Sequence, residues 1–75
     1  MSEGSPVDQL RADLKEVERD LENVRRTTAD IRSGIGEAED PVDRGALIQA
    51  ADDQDMLAEQ LVVRRENLLR RIAQA

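Results

Sequence analysis

The sequence predicts an all-α fold, an antiparallel two-helix coiled-coil hairpin that we expect to dimerise into a four-helix bundle. Apolar residues recur at helical spacing along two long segments. Both segments open with the same start signal, a capping residue followed by proline and then by a carboxylate at the third helical position. With no Phe, Tyr, Trp or Cys, the core must be built from aliphatic residues, which suits thin helix-to-helix seams.

Start and stop signals define the predicted bounds within a single helical hairpin covering residues 1–75. The first helix should run over 6–33, because two glycines directly after it favour the backbone conformation that ends helices. A turn over 34–40 then leads into the second helix, 41–73, and residues 1–4 are expected to be disordered. Since a short connection joins two long helices, they should be antiparallel neighbours.

The apolar residues of each helix predict the seam between the two. In the first helix they step by three and four, the heptad spacing of a coiled coil, through Val7, Leu10, Leu14, Val17, Leu21, Val24, Thr28, Ile31 and Ile35. The matching seam of the second helix is interpreted as Leu47, Ala50, Gln54, Leu57, Leu61, Arg64 and Leu68. Pairing Ile31 with Leu47 aligns both seams in one register along the whole hairpin.

The second helix has a further apolar row, interrupted by Asp55 and Arg65, that the first helix lacks. One partner helix cannot cover both rows, and apolar surface left in water costs about 25 cal/mol per Å² relative to burial. A second copy of the chain would cover it, because closed homodimers are the commonest oligomers. The alternative is a groove for the helix of another protein. The predicted oligomer interface is Ile48, Ala51, Ala58, Val62, Leu69 and Ile72.

Charge and composition exclude several classes of partner and location. The formal net charge is −6, and the only dense basic patch, Arg64, Arg65, Arg70 and Arg71, suits the C-terminal end of a helix. Direct nucleic-acid binding is not expected, since it requires a basic footprint and, for single strands, aromatic stacking platforms. No stretch resembles a membrane-spanning helix or a signal peptide, so we expect a cytoplasmic protein without a membrane partner.

No catalytic set can be assembled from these residues. The chain has no His and no Cys, and its one lysine, Lys15, lies among charged neighbours, so a nucleophile would have no base beside it. We therefore expect neither an enzyme nor a bound cofactor. Carboxylates are concentrated at the predicted bend, where they could share Mg²⁺ with a partner's ligands or simply cap the helix, and no resident metal is expected. The candidate tip residues are Glu37, Glu39, Asp40 and Asp43.

The segment Asp40-Pro41-Val42-Asp43-Arg44 resembles the hairpin tip Asp-Pro-x-Asp-Arg-Ala of the DksA/TraR group, with Gly45 in place of the alanine. Downstream, Ala50-Ala51-Asp52-Asp53 is similar to the second helix of the Gre transcript-cleavage factors. Both groups insert a coiled-coil arm into the secondary channel of RNA polymerase. The resemblance implies that Asp40 and Asp43 approach the polymerase active centre. These 75 residues contain no counterpart of the zinc domain or the second globular domain of those factors.

The leading hypothesis is a non-enzymatic coiled-coil module that acts by protein–protein interaction or as a scaffold and associates with itself. The alternative is a transcription regulator whose acidic hairpin tip enters the secondary channel of RNA polymerase. The expected partners are accordingly a second copy of the chain or another protein, with RNA polymerase as the candidate named by the resemblance.

Overall fold

The computed structural model describes residues 5–75, and within this range the chain forms two α-helices, α1 at Pro6–Glu37 and α2 at Pro41–Gln74. The two helices pack against each other in an elongated body of 60 × 21 × 12 Å. The predicted all-α helical hairpin is confirmed. The predicted disorder of residues 1–4 lies outside the described residues.

The start of α1 follows the predicted signal. The Asp8 amide donates to the Ser5 hydroxyl at 3.2 Å, and the Ser5 amide donates to the Asp8 carboxylate at 3.3 Å. This reciprocal pair is a capping box, which satisfies two amides that have no partner inside the helix. Pro6 occupies the first turn, where its missing N–H is not needed.

The predicted end of α1 near residue 33 is wrong, because the helix continues through Gly34 and Gly36 to Glu37. Neither glycine adopts the left-handed backbone that ends many helices. The Ala38 amide instead donates to the Gly34 carbonyl at 3.0 Å, which closes the last turn. A methyl group on Gly34 would lie 3.6 Å from Leu47 Cδ1, so α2 packs closely over this extra turn.

The connection is therefore shorter than predicted and is fixed by side chains at both ends. Asp40 caps α2, with its Oδ1 accepting from the Val42 amide at 2.8 Å. The Arg44 guanidinium reaches back and donates to the Ala38 carbonyl at 2.7 Å. These bonds satisfy backbone groups that the turn would otherwise leave without partners.

The seam residues of α1 are those that the heptad spacing predicts. Val17 and Leu21 are each 2% exposed, and Thr28 is also buried. The hydroxyl of Thr28 donates to the Val24 carbonyl at 2.8 Å, so the polar atom in the seam is satisfied within its own helix. The remaining predicted positions on α1 are half-buried. The fully buried part of the core is therefore small.

The predicted seam of α2 is wrong at Leu57 and Arg64, and its other five positions are buried or half-buried. Ala51 is 2% exposed and Arg65 is half-buried, while the predicted seam residues Leu57 and Arg64 are exposed. Ala50 remains half-buried beside Ala51. Ala58 and Arg65 therefore face α1 in place of Leu57 and Arg64, so α2 is turned about its axis relative to the predicted seam. The observed seam is Leu47, Ala51, Gln54, Ala58, Leu61, Arg65, Leu68 and Ile72.

Candidate functional site

The surface of the hairpin is strongly asymmetric. Among the described residues, every exposed large apolar side chain lies on α2, and the outer face of α1 is polar. Single exposed apolar side chains are common on protein surfaces. Here they are confined to one helix, so the apolar area that the hairpin leaves unburied lies on α2. They are Val42, Ile48, Met56, Leu57, Val63 and Leu69.

The predicted interface row is divided between the seam and the surface. Ala51 is buried against α1 and therefore cannot belong to an outer row, which corrects that assignment. Ala58, Val62 and Ile72 are half-buried along the same side of α2. Ile48 and Leu69 are exposed at the flank of the seam. The structure thus leaves Ile48 and Leu69, with part of Val62, available on the side where the prediction placed an interface.

Two apolar residues outside both predicted rows form the most exposed part of the long face of α2. Met56 is 60% exposed and Val63 is 68% exposed, and they are spaced by one heptad on the side of α2 that points away from α1. Glu59 and Gln60 lie between them and complete a shallow groove. The heptad spacing of Met56 and Val63 was visible in the sequence, but only the position of the seam shows that they face outward.

Pairs of like charges stand toward the two ends of α2, although Arg44 lies in its first half and Glu59 and Glu66 lie in its second half. Asp52 and Asp53 are exposed in its first half, and Arg64, Arg70 and Arg71 are exposed in its second half. Asp53 accepts a hydrogen bond from the Gln49 side chain at 3.0 Å. Within residues 5–75, the three arginines have no carboxylate within 4.0 Å. Their charges are therefore available to a neighbouring molecule.

A second groove runs between the helices beside the half-buried side of α2. Arg25 of α1 faces Asp55, Ala58 and Val62 of α2 across it. Asp55 is also paired with Arg32, the one ion pair that joins the two helices within the described range. Asp55, one of the two charged residues that interrupt the predicted apolar row, thus joins α2 to α1.

The predicted tip residues lie where expected, at the connection between the helices. Glu37, Glu39, Asp40 and Asp43 are all exposed. One carboxylate oxygen of Asp40 is occupied by its capping bond, and the remaining tip carboxylates accept no hydrogen bond from a described residue. Within residues 5–75, no three His, Cys, Asp or Glu side chains are grouped closely enough to hold a metal ion.

Comparison with protein-family models, with curated proteins and with solved structures finds no match for this chain. In the part of the chain that the structure describes, neither helix combines the length and the apolar composition that crossing a membrane requires.

Proposed function

We propose that this chain is a non-enzymatic interaction module, a coiled-coil hairpin that associates with itself through the outer face of α2 and forms a four-helix bundle. The observation that supports this proposal is the restriction of the exposed large apolar side chains to α2. A helix that packs on one side only would keep a single apolar stripe, as α1 does.

The thinness of the core supports the same conclusion. Only five of the described residues are buried: Val17, Leu21, Thr28, Ala51 and Leu68. A single domain of this size rarely gains more than ~3–5 kcal/mol from its own core, and neither a disulfide nor a zinc site can form without Cys or His. Association is the remaining means of burying more apolar surface, and symmetric dimers of helical hairpins achieve this as four-helix bundles.

Sedimentation equilibrium at micromolar concentration tests the proposal. We expect the wild-type chain to sediment as a dimer and Val63→Glu to sediment as a monomer, because a carboxylate placed in an apolar interface must be desolvated without a partner. Since Val63 is 68% exposed in the hairpin, this variant should keep its helical circular dichroism.

Ala12→Glu is the matched control. Ala12 is exposed on the polar outer face of α1, so the same charge added there should leave the dimer intact. A wild-type chain that remains a folded monomer throughout the concentration range would refute the proposal, and so would equal effects of the two substitutions.

The acidic tip supports a second candidate function, regulation of transcription through the secondary channel of RNA polymerase. The observation that favours it is the exposure of four carboxylates at one end of a narrow body 60 Å long. Charge would be essential to such a role, whereas capping would not require it, because Asn caps a helix about as well as Asp. Binding to purified RNA polymerase that Asp40→Asn abolishes would support this function, and absence of binding by the wild-type chain would exclude it.

A further inference from the structure

The outer face of α2 has an apolar centre, two aspartates before it and two arginines after it, and Glu66, between Val63 and Arg70, is paired with Arg65. Met56 and Val63 form the centre. Asp52 and Asp53 lie one turn before Met56, and Arg70 and Arg71 lie two turns after Val63. All four charged residues are exposed, and none forms an ion pair within residues 5–75.

We infer that the partner of this face is a second copy of the chain whose α2 runs antiparallel to the first. This inference rests on the proposed self-association and adds the orientation and the contacting residues. A two-fold axis between Met56 and Val63 places Met56 of each copy against Val63 of the other. The same axis brings the Asp52 and Asp53 end of one copy to the Arg70 and Arg71 end of the other.

The reach of the side chains fits this arrangement. The arginines lie further from the axis than the aspartates when counted along the helix, but helical side chains point back toward the N-terminus of their own helix. An extended arginine therefore carries its guanidinium toward the axis by about one turn. In two helices whose axes are packed about 8–10 Å apart, this shift brings the guanidinium groups level with the partner's carboxylates.

A parallel pair would have unfavourable charges at both ends of this face. It would place Asp52 and Asp53 beside their own copies, and Arg70 and Arg71 beside theirs, and like charges that face each other across helices are destabilising. It would also bring the two acidic tips together. The antiparallel pair separates the tips and opposes the helix dipoles.

Two intramolecular carboxylates could compete for the arginines, and neither does so. Asp13 of α1 borders the same groove as Arg64 and Arg71 but lies beyond ion-pairing distance, and its Oδ1 accepts from Gln9 at 3.0 Å. Glu66, one heptad after Glu59 on the same side of α2, is paired with Arg65 at 3.4 Å. Arg70 and Arg71 therefore remain available for the carboxylates of a second copy.

Cysteine cross-linking can determine the orientation, because the native chain has no cysteine. Three full-length single variants are required, Ala46→Cys, Gln60→Cys and Ala73→Cys, all at exposed positions of α2. The thiol cross-linker should span about 8–10 Å, the distance between packed helices. Positions 46 and 73 are roughly 40 Å apart along one helix at 1.5 Å per residue, so each reports on a different end.

The antiparallel arrangement predicts a specific set of products. Gln60→Cys, beside the axis, should cross-link with itself. Ala46→Cys alone and Ala73→Cys alone should not, whereas a mixture of the two should give the cross-linked heterodimer. If both end variants cross-linked strongly with themselves and the mixture gave no link between positions 46 and 73, the pair would be parallel. That result would overturn the inference while leaving self-association intact.

Failure of self-association gives a result different from failure of the antiparallel orientation. If the wild-type chain sediments as a monomer and Gln60→Cys gives no product, the proposed function fails together with the inference. If the wild-type chain is a dimer and Gln60→Cys still gives no product, the dimer uses another face. That result would overturn the inference but not the dimer.

Charge reversal provides an independent measurement. Asp52→Arg with Asp53→Arg should weaken dimerisation by about tenfold or more at low salt, since it converts attraction into repulsion at both ends of an antiparallel pair. Adding Arg70→Asp and Arg71→Asp should restore dimerisation, because the exchanged ends are again complementary. In a parallel pair the first change would have little effect and the second would restore nothing, which would contradict the inference.

Discussion

Replacing Arg65 by leucine should stabilise the hairpin, and the same change at the neighbouring Arg64 should not. The two residues distinguish the seam of the structure from the seam that heptad spacing alone predicts. Arg65 is half-buried against α1, while Arg64 is exposed. A leucine at position 65 would add apolar area to the seam, and a leucine at position 64 would add it mainly to the surface.

The magnitude follows from the burial of the arginine. Its side chain is 27% exposed, so α1 would cover most of a leucine placed there. Full burial of a leucine is worth about 1.5–3 kcal/mol relative to exposure. The aliphatic stem of the arginine already contributes part of this, and its partly exposed ion pair with Glu66 contributes about 0–1 kcal/mol. Because the two residues have similar helix propensities, we expect a net gain of about 1 kcal/mol.

A gain of this size raises the melting temperature of a domain of this length by about 4–8 °C. Thermal melts followed by circular dichroism measure it, and melts at two protein concentrations separate the stability of the hairpin from any effect on association. Arg64→Leu should change the unfolding free energy by less than about 0.5 kcal/mol. If Arg64→Leu stabilised the hairpin more than Arg65→Leu, the seam described for α2 would be wrong.

Substitutions at three further sites, with a surface control at Leu57, test other parts of the hairpin. Leu21→Ala should lower the free energy of unfolding in urea by about 2–5 kcal/mol, whereas Leu57→Ala on the surface should cost much less; similar losses would contradict the assigned core. Gly34→Ala should raise the free energy of unfolding by about 0.5–1 kcal/mol, because the added methyl meets Leu47 at an ordinary contact distance. A lower free energy of unfolding would indicate that Gly34 has a left-handed backbone. In thermal melts Asp40→Asn should be nearly silent and Asp40→Ala should cost about 1 kcal/mol; equal losses would argue against capping.

The starts of both helices and the seam of α1 could be predicted because local chemistry determines them. A cap, a proline and a carboxylate specify a helix start wherever they occur, and α1 has only one apolar row to bury. The end of α1 could not be predicted from its glycines, since glycine adopts helical and left-handed backbone equally well. The close approach of Leu47 to Gly34, a contact between helices, accompanies the longer helix.

The seam of α2 was ambiguous for a different reason. At Ala50 and Ala51, and again at Arg64 and Arg65, adjacent residues have the same chemistry, so composition cannot select between them. The choice depends on which side of α2 faces α1, which single-helix periodicity does not describe. The outward position of Met56 cannot be predicted for the same reason, because a residue can be recognised as outward-facing only after the inward face is known.

The linear arrangement of the seam has a consequence for the order of folding. Leu47 contacts the end of α1 across the turn and joins residues close in sequence, whereas Asp13 and Leu68 border one groove near the open end and are far apart in sequence. Closing the short loop costs the least chain entropy, so we expect the helices to pair first at the turn and then zip toward Pro6 and Gln74. Substitutions near the turn should therefore slow folding, and those near the open end should chiefly accelerate unfolding.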